Sequence, residues 1–296
     1  MTVTPTNYNI RKSLEGNLLG LDASAIAPLA IGGAANPKGA YAPYLMGRDF
    51  MGLRIFPAGS FSKQGMDYKE CVRLSHNDVF DDFLGAAVSN FWNSRTGSDG
   101  SCAVAIHVAN NGTVRLTTGA GSTHTMAVNG AQIVGAVNNL VADGALRMET
   151  RLGNLSAATS QSICFGLVDS SALSAPFTLT AGTVTANATN GACFLQDAAG
   201  TNTALNCVSV NAGGTPQVTA LTNIVNVTSG KENIYRVEID AAGNALFFID
   251  GTLVASQLLA VATTAMLAPS VGMFSEATSG SQTLDIDYIL NQSLRV

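Results

Sequence analysis

Two carboxylate pairs offer the most obvious chemistry in this chain, Glu238 with Asp240 and Asp285 with Asp287. Residues two apart on a strand share a face, and two carboxylates on one face are a first requirement for general acid–base work. Each pair sits in an alternating run and reads first as a solvated strand face. Glu149 lies between Arg147 and Arg151, the pattern of an in-strand ion ladder. His76, His107 and His124 are scattered, and no G-x-S-x-G elbow accompanies them. His107, between Ile106 and Val108, reads as a strand-face residue. Gly119-Ala120-Gly121-Ser122 is a turn, because it lacks the third glycine and following helix of a dinucleotide loop. The five cysteines are odd in number with no C-x-x-C spacing. Four of them, Cys102, Cys164, Cys193 and Cys207, fall in apolar runs, where a reduced thiol is a small hydrophobe. No catalytic residue, metal site or cofactor is expected. Trp92 and Tyr288 could stack on a sugar ring, although a buried core role is the commoner use of such rings.

The elements that would position these groups are strands. In Asn233–Val254, Tyr235, Val237 and Ile239 alternate with Arg236, Glu238 and Asp240, which puts apolar and charged sets on opposite faces. Ala241-Ala242-Gly243-Asn244 turns the chain, and Ala245–Ile249 returns, apolar on both faces at Leu246, Phe247, Phe248 and Ile249. Phe248 is expected in the core. Asp250-Gly251 is a two-residue hairpin signal before a third strand, Thr252–Gln257. Similar signals predict strands at Val79–Phe83, Ala145–Leu152, Ile163–Val168, Ala192–Gln196, Ala204–Val210, Ser270–Ser275 and Thr283–Asn291. Many strands without a long helix mean a sandwich or barrel.

Charged residues make up only 12% of the 296, against 47% hydrophobics, which rules out disorder as the main state. Residues 1–75 carry eight Lys/Arg against five Asp/Glu, whereas the remainder carries seven against fifteen. So acidic a body is a poor nucleic-acid partner. The opening residues show no secretory signal. Ala23–Ala35 is too short and interrupted to span a bilayer, so no membrane is expected. Residues 1–75 read as an irregular N-terminal arm and 76–296 as the β-sandwich. Within the arm, Met46, Arg48, Phe50, Met51, Leu53, Arg54, Ile55 and Phe56 concentrate apolar groups and cations that need a partner surface.

The stretch Y-R-V-E-I-D, turn, F-F-I-D-G resembles the back-sheet hairpin of concanavalin A-like jelly rolls, the fold of laminin G-like modules, legume lectins and one clan of glucanases. Leu146–Leu152 followed by Ile163–Leu167, and the closing strand Leu284–Ile289, agree with it. The run from Asp81–Gly85 (DDFLG) through Gly97–Ser101 (GSDGS) to Asp285–Ile289 (DIDYI) is similar to a family of tailed-phage virion proteins. The resemblance implies an all-β, concanavalin A-like jelly-roll sandwich preceded by the arm. It further implies a structural virion protein, a capsid decoration or head protein assembled in the host cytoplasm. The arm would bind the major capsid protein or sister subunits in a homo-oligomer. A lectin-like module or adhesin is the alternative, with a glycan on the concave face against Trp92 or Tyr288. A glycosidase ranks last, because neither acid pair extends to the E-x-D-x-x-E of jelly-roll glucanases. The chain is therefore expected not to be an enzyme.

Overall fold

The computed structural model describes residues 48–49, 52–53 and, between 76 and 294, all but 86, 108–111, 122, 145, 154–160, 170–172, 181, 198–203, 222–231 and 277–279. The chain divides near His76 into two compact units, each described by itself. In the first, Arg48–Asp49 pairs antiparallel with Gly52–Leu53. The backbone of Arg48 and Leu53 is thus placed, whereas Met46, Phe50, Met51, Arg54, Ile55 and Phe56 lie outside the described residues.

The second unit is built of antiparallel strands. The first six are β1 (His76–Asp81), β2 (Trp92–Thr96), β3 (Ala103–His107), β4 (Thr113–Thr117), β5 (Gly130–Gly135) and β6 (Asn139–Leu140). Next come β7 (Leu146–Gly153), β8 (Gln161–Val168), β9 (Phe177–Thr180), β10 (Thr183–Ala186), β11 (Gly191–Asp197) and β12 (Leu205–Val210). The last six are β13 (Gln217–Leu221), β14 (Asn233–Ile239), β15 (Ala245–Ile249), β16 (Thr252–Gln257), β17 (Met266–Ser275) and β18 (Thr283–Leu294). Sheet one runs β16-β15-β14-β7-β18-β4-β3, with β1 on β18. Sheet two runs β13-β12-β11-β8-β17-β5-β2, with β6 on β17.

Sheet one keeps the period of two that its sequence shows. Tyr235, Val237 and Ile239 are buried while Arg236 and Glu238 are not. The Asp250-Gly251 turn has φ of 48° and 83°, the left-handed pair a two-residue hairpin needs. In the preceding turn, Gly243 has φ 81°, and a Cβ there would lie 2.2 Å from the Val261 carbonyl oxygen. The strand Ala245–Ile249 corrects one expectation. Its inward set is Ala245, Phe247 and Ile249, because Tyr235 pairs with Ile249 and Val237 with Phe247. Phe248 points outward, and the Arg236 guanidinium lies 4.0 Å above its ring.

The sandwich core joins the two sheets through four aromatic rings. Phe165 and Phe194 come from sheet two, Tyr235 and Phe247 from sheet one. Phe194 stacks on Phe165 at 5.3 Å and meets Tyr235 and Phe247 edge-on at 5.4 Å each. The central strands of sheet two, β8, β11 and β12, are buried on both faces, whereas its edge strands β2 and β13 are partly exposed. The sheet's outer face carries Cys164, Val168, Cys193, Leu195 and Val208, packed with Phe177 and Leu179 of the β9–β10 hairpin. That cover explains why β8 reads as a continuous apolar run rather than an alternating one. Burial pushes the Cys193 and Cys207 thiols up, and Cys102, Cys164, Cys193 and Cys207 are all free.

Several strand boundaries differ from expectation. The first body strand ends at Asp81 rather than Phe83. The Asp81 carboxylate accepts from the Phe83 amide at 2.9 Å, the Ser89 hydroxyl at 2.6 Å and Trp92 Nε1 at 2.9 Å, which turns the chain out of the sheet. The β9–β10 hairpin was not anticipated, although Phe177–Ala186 alternates apolar groups with threonine about Gly182, whose φ is 84°.

Candidate functional site

Apolar side chains cover the middle of sheet two's outer face, whereas the outer face of sheet one carries Arg147, Glu149, Arg236 and Glu238. Two parallel rows cross it, one side chain per strand. The first row is Ser256, Leu246, Glu238, Arg147 and Gln292, each the cross-strand partner of the next. The second is Leu253, Phe248, Arg236, Glu149 and Leu290, paired likewise. Arg236 organises the rows. Its Nε lies 2.9 Å from Glu238 and its NH1 3.6 Å from Glu149, while its plane covers Phe248. Arg147 donates to Glu149 at 3.2 Å.

Neither carboxylate pair acts as a pair. Glu238 belongs to the Arg236 network, whereas Asp240 closes the turn after β14. Its Oδ1 accepts from the Ala242 and Asn244 amides at 2.8 and 3.0 Å, and its Oδ2 from Asn244 Nδ2 at 2.9 Å. Partial burial raises the Asp240 carboxyl, but these hydrogen bonds together outweigh it and hold it below the usual carboxylate value. The other pair is split by a register shift opposite Arg151 and Leu152, where Arg151 faces Tyr288 and Leu152 faces Ile286. Asp285 takes Arg115 in a two-pronged bond of 2.7 and 2.8 Å, and Asp287 takes Arg151 at 2.6 Å. The Asp285 hydrogen bond holds the Arg115 guanidinium above its ordinary value.

The remaining sequence candidates fall as follows. Trp92 is 6% exposed and spends its N–H on Asp81, so its ring packs beside Phe83 at 6.2 Å instead of presenting a stacking surface. Tyr288 stacks on Phe80 at 5.6 Å and its hydroxyl donates to Glu149 at 3.3 Å. Burial, then the Glu149 charge, pushes its phenol up. His107 Nδ1 is 3.9 Å from Asp285, and His124 is exposed far along the chain from any acid pair. Asp99 accepts from Ser101 and from the Gly121 amide, tying the GSDGS turn to the Gly119–Gly121 turn. Among the described residues, no group of three His, Cys, Asp or Glu could hold a metal ion.

A depression of about 440 Å³ lies along the first row. Glu238, Leu246, Ser256, Arg147 and Gln292 line it, together with Asp240, Asn244 and Leu258. Its polar groups include donors only (Arg147), acceptors only (Glu238, Asp240) and both (Ser256, Gln292, Asn244). Sequence reading singled out Glu238 and Asp240 but not Arg147, Leu246, Ser256, Asn244 or Gln292 as neighbours of one site. Arg147 and Gln292 lie far along the chain from the 238–256 hairpins, and only strand register brings them beside Glu238.

An all-β sandwich of two large antiparallel sheets in this arrangement is a concanavalin A-like jelly roll, and the comparisons with solved structures agree. A LamA variant from Z. galactanivorans, crystallised with laminaritriose and laminaritetraose, matches at TM-score 0.50 and 11% identity over 73% of this chain and 98% of that one. The Crh5 transglycosylase in complex with NAG matches at TM-score 0.50 and 11% identity, over 73% of this chain and 84% of that one. The β-glucanase of Bacillus licheniformis matches at TM-score 0.48 and 9% identity, over 73% and 97%. No family model matches the chain, and no curated protein does. At these identities the likeness establishes the fold.

Two expectations change with these matches. That the chain is not an enzyme is overturned as an inference, since a transglycosylase stands among the structures sharing its fold. A missing E-x-D-x-x-E spacing therefore does not exclude catalysis. The likeness to tailed-phage virion proteins gains no support from these matches.

Proposed function

We propose that this chain is a carbohydrate-binding jelly-roll protein. The observation that carries the reading is the outer face of sheet one, where a depression brings the aliphatic side chains of Leu246 and Leu258 together with donors and acceptors. Sugar rings need both, since each hydroxyl donates and accepts while the ring's C–H face is apolar. The reading draws support from the fold, which it shares with proteins solved in complex with laminari-oligosaccharides and with NAG. A structural virion role rests on the resemblance of the DDFLG, GSDGS and DIDYI stretches, on the absence of a catalytic motif and a signal peptide, and on the apolar arm, most of which lies outside the described residues. In the structure those stretches hold turns and ion pairs together, through Asp81, Asp99 and Asp285.

The test is binding of the full chain to an array of immobilised glycans, with product analysis of the same glycans in solution. Selective retention on one group of glycans is the expected result, and the products report any cleavage or transfer. Equal, negligible retention on every glycan and on the bare surface would refute the reading.

A further inference from the structure

The depression on sheet one has a shape and a charge pattern that select among glycans. Resting on the carbohydrate-binding reading, we infer that it takes a short neutral oligosaccharide laid across the strands of sheet one, over the row from Ser256 to Gln292.

The direction follows from register. Ser256, Leu246, Glu238, Arg147 and Gln292 occupy five adjacent strands as direct cross-strand partners. Four strand spacings of roughly 4.8 Å make a track of about 19 Å, running perpendicular to the strands. One end is open at the exposed Ser256 on β16, and exposed Leu258 walls the side. An extended chain of several sugar rings fits such a track better than one compact ligand. Leu246, half-buried between Ser256 and Glu238, offers a C–H surface where a ring can lie flat.

The neutrality follows from the ions. The track's single guanidinium, Arg147, already donates to Glu149 at 3.2 Å, so it is not an unengaged cation awaiting an anion. Glu238 stands directly opposite Arg147, and Asp240, held as a carboxylate by its turn, also lines the depression. A sulfated or carboxylated glycan would meet these two acids and be repelled, as like charges across an interface are. A neutral hydroxyl can instead donate to Glu238 and accept from Arg147. Preorganisation completes the case. Arg236 pins Glu238 and is itself packed on Phe248, and Asn244 is tied to both Asp240 and the Leu259 amide. Few side chains need to be ordered when a ligand arrives, which lowers the entropic cost of binding.

The experiment is titration calorimetry of the full chain with laminaritetraose as neutral probe and a sulfated carrageenan tetrasaccharide as acidic probe. Two variants accompany it, Glu238→Gln and the exposed, groove-blocking Ser256→Trp, each checked for an unchanged melt. The expected result is that the neutral probe binds more tightly than the sulfated one, and that each variant weakens it at least tenfold. If the wild type binds a glycan and both variants bind it equally well, the carbohydrate reading stands and the track is wrong. Tighter binding of the sulfated probe overturns the neutral class. Binding of neither probe, together with an empty glycan array, overturns the carbohydrate reading itself.

Discussion

Replacing Phe194 with Ala should destabilise the body by about 3–5 kcal/mol, the range for deleting a large buried aromatic side chain. Phe194 is fully buried and touches Phe165, Tyr235 and Phe247, so it is the ring through which sheet two grips sheet one. Each aromatic pair adds roughly 0.5–1.5 kcal/mol beyond burial of area. At this chain length the loss corresponds to a fall in melting temperature of roughly 10 °C. Phe248→Ala should cost less than about 1.5 kcal/mol, because that ring lies on the outer face beneath Arg236. Thermal melts of the two variants side by side make the check. A larger loss for Phe248→Ala than for Phe194→Ala would mean that β15 faces the other way.

The second large effect is expected at Gly166, in the middle of β8. A Cβ built there would lie 2.3 Å from the Ala192 carbonyl oxygen and 2.6 Å from the Cys193 Cα, both backbone atoms of β11. No rotamer relieves a backbone clash, so β8 and β11 must separate at Gly166↔Cys193, a central pair of sheet two. Gly166→Ala should cost about 3 kcal/mol or more, the upper range for overpacking. The urea midpoint measures it. A midpoint equal to wild type would show that the two strands are not held at this distance.

How far the sequence carries differs between the two sheets, for a physical reason. Sheet one has water on one side, so its strands alternate, and Tyr235, Val237 and Ile239 declare their face. The middle of sheet two is covered on both sides, and nothing local in Ile163–Val168 reveals that the β9–β10 hairpin lies over Cys164 and Val168. Ala245–Ile249 was ambiguous for a related reason, since Phe247 and Phe248 are equally apolar. Only the pairing of Val237 with Phe247 across the turn separates them. The acid pairs, read first as a solvated strand face, do not stand as pairs, because i and i+2 share a face only in a regular strand. The register shift in β18 and the turn at Asp240 each broke that regularity. The track was hidden most deeply, since Arg147, Glu238 and Gln292 meet through register between distant segments.

The measurement that bears most directly on function is a map of which face a bound glycan touches. Backbone amide shifts of the isotopically labelled full chain, titrated with laminaritetraose, supply it. The expected result is a saturable set of changes centred on Arg147, Glu238, Leu246, Ser256 and Gln292, with sheet two's β8 and β11 unmoved. Saturable changes confined to sheet two, or none at any concentration, would contradict a carbohydrate site on sheet one.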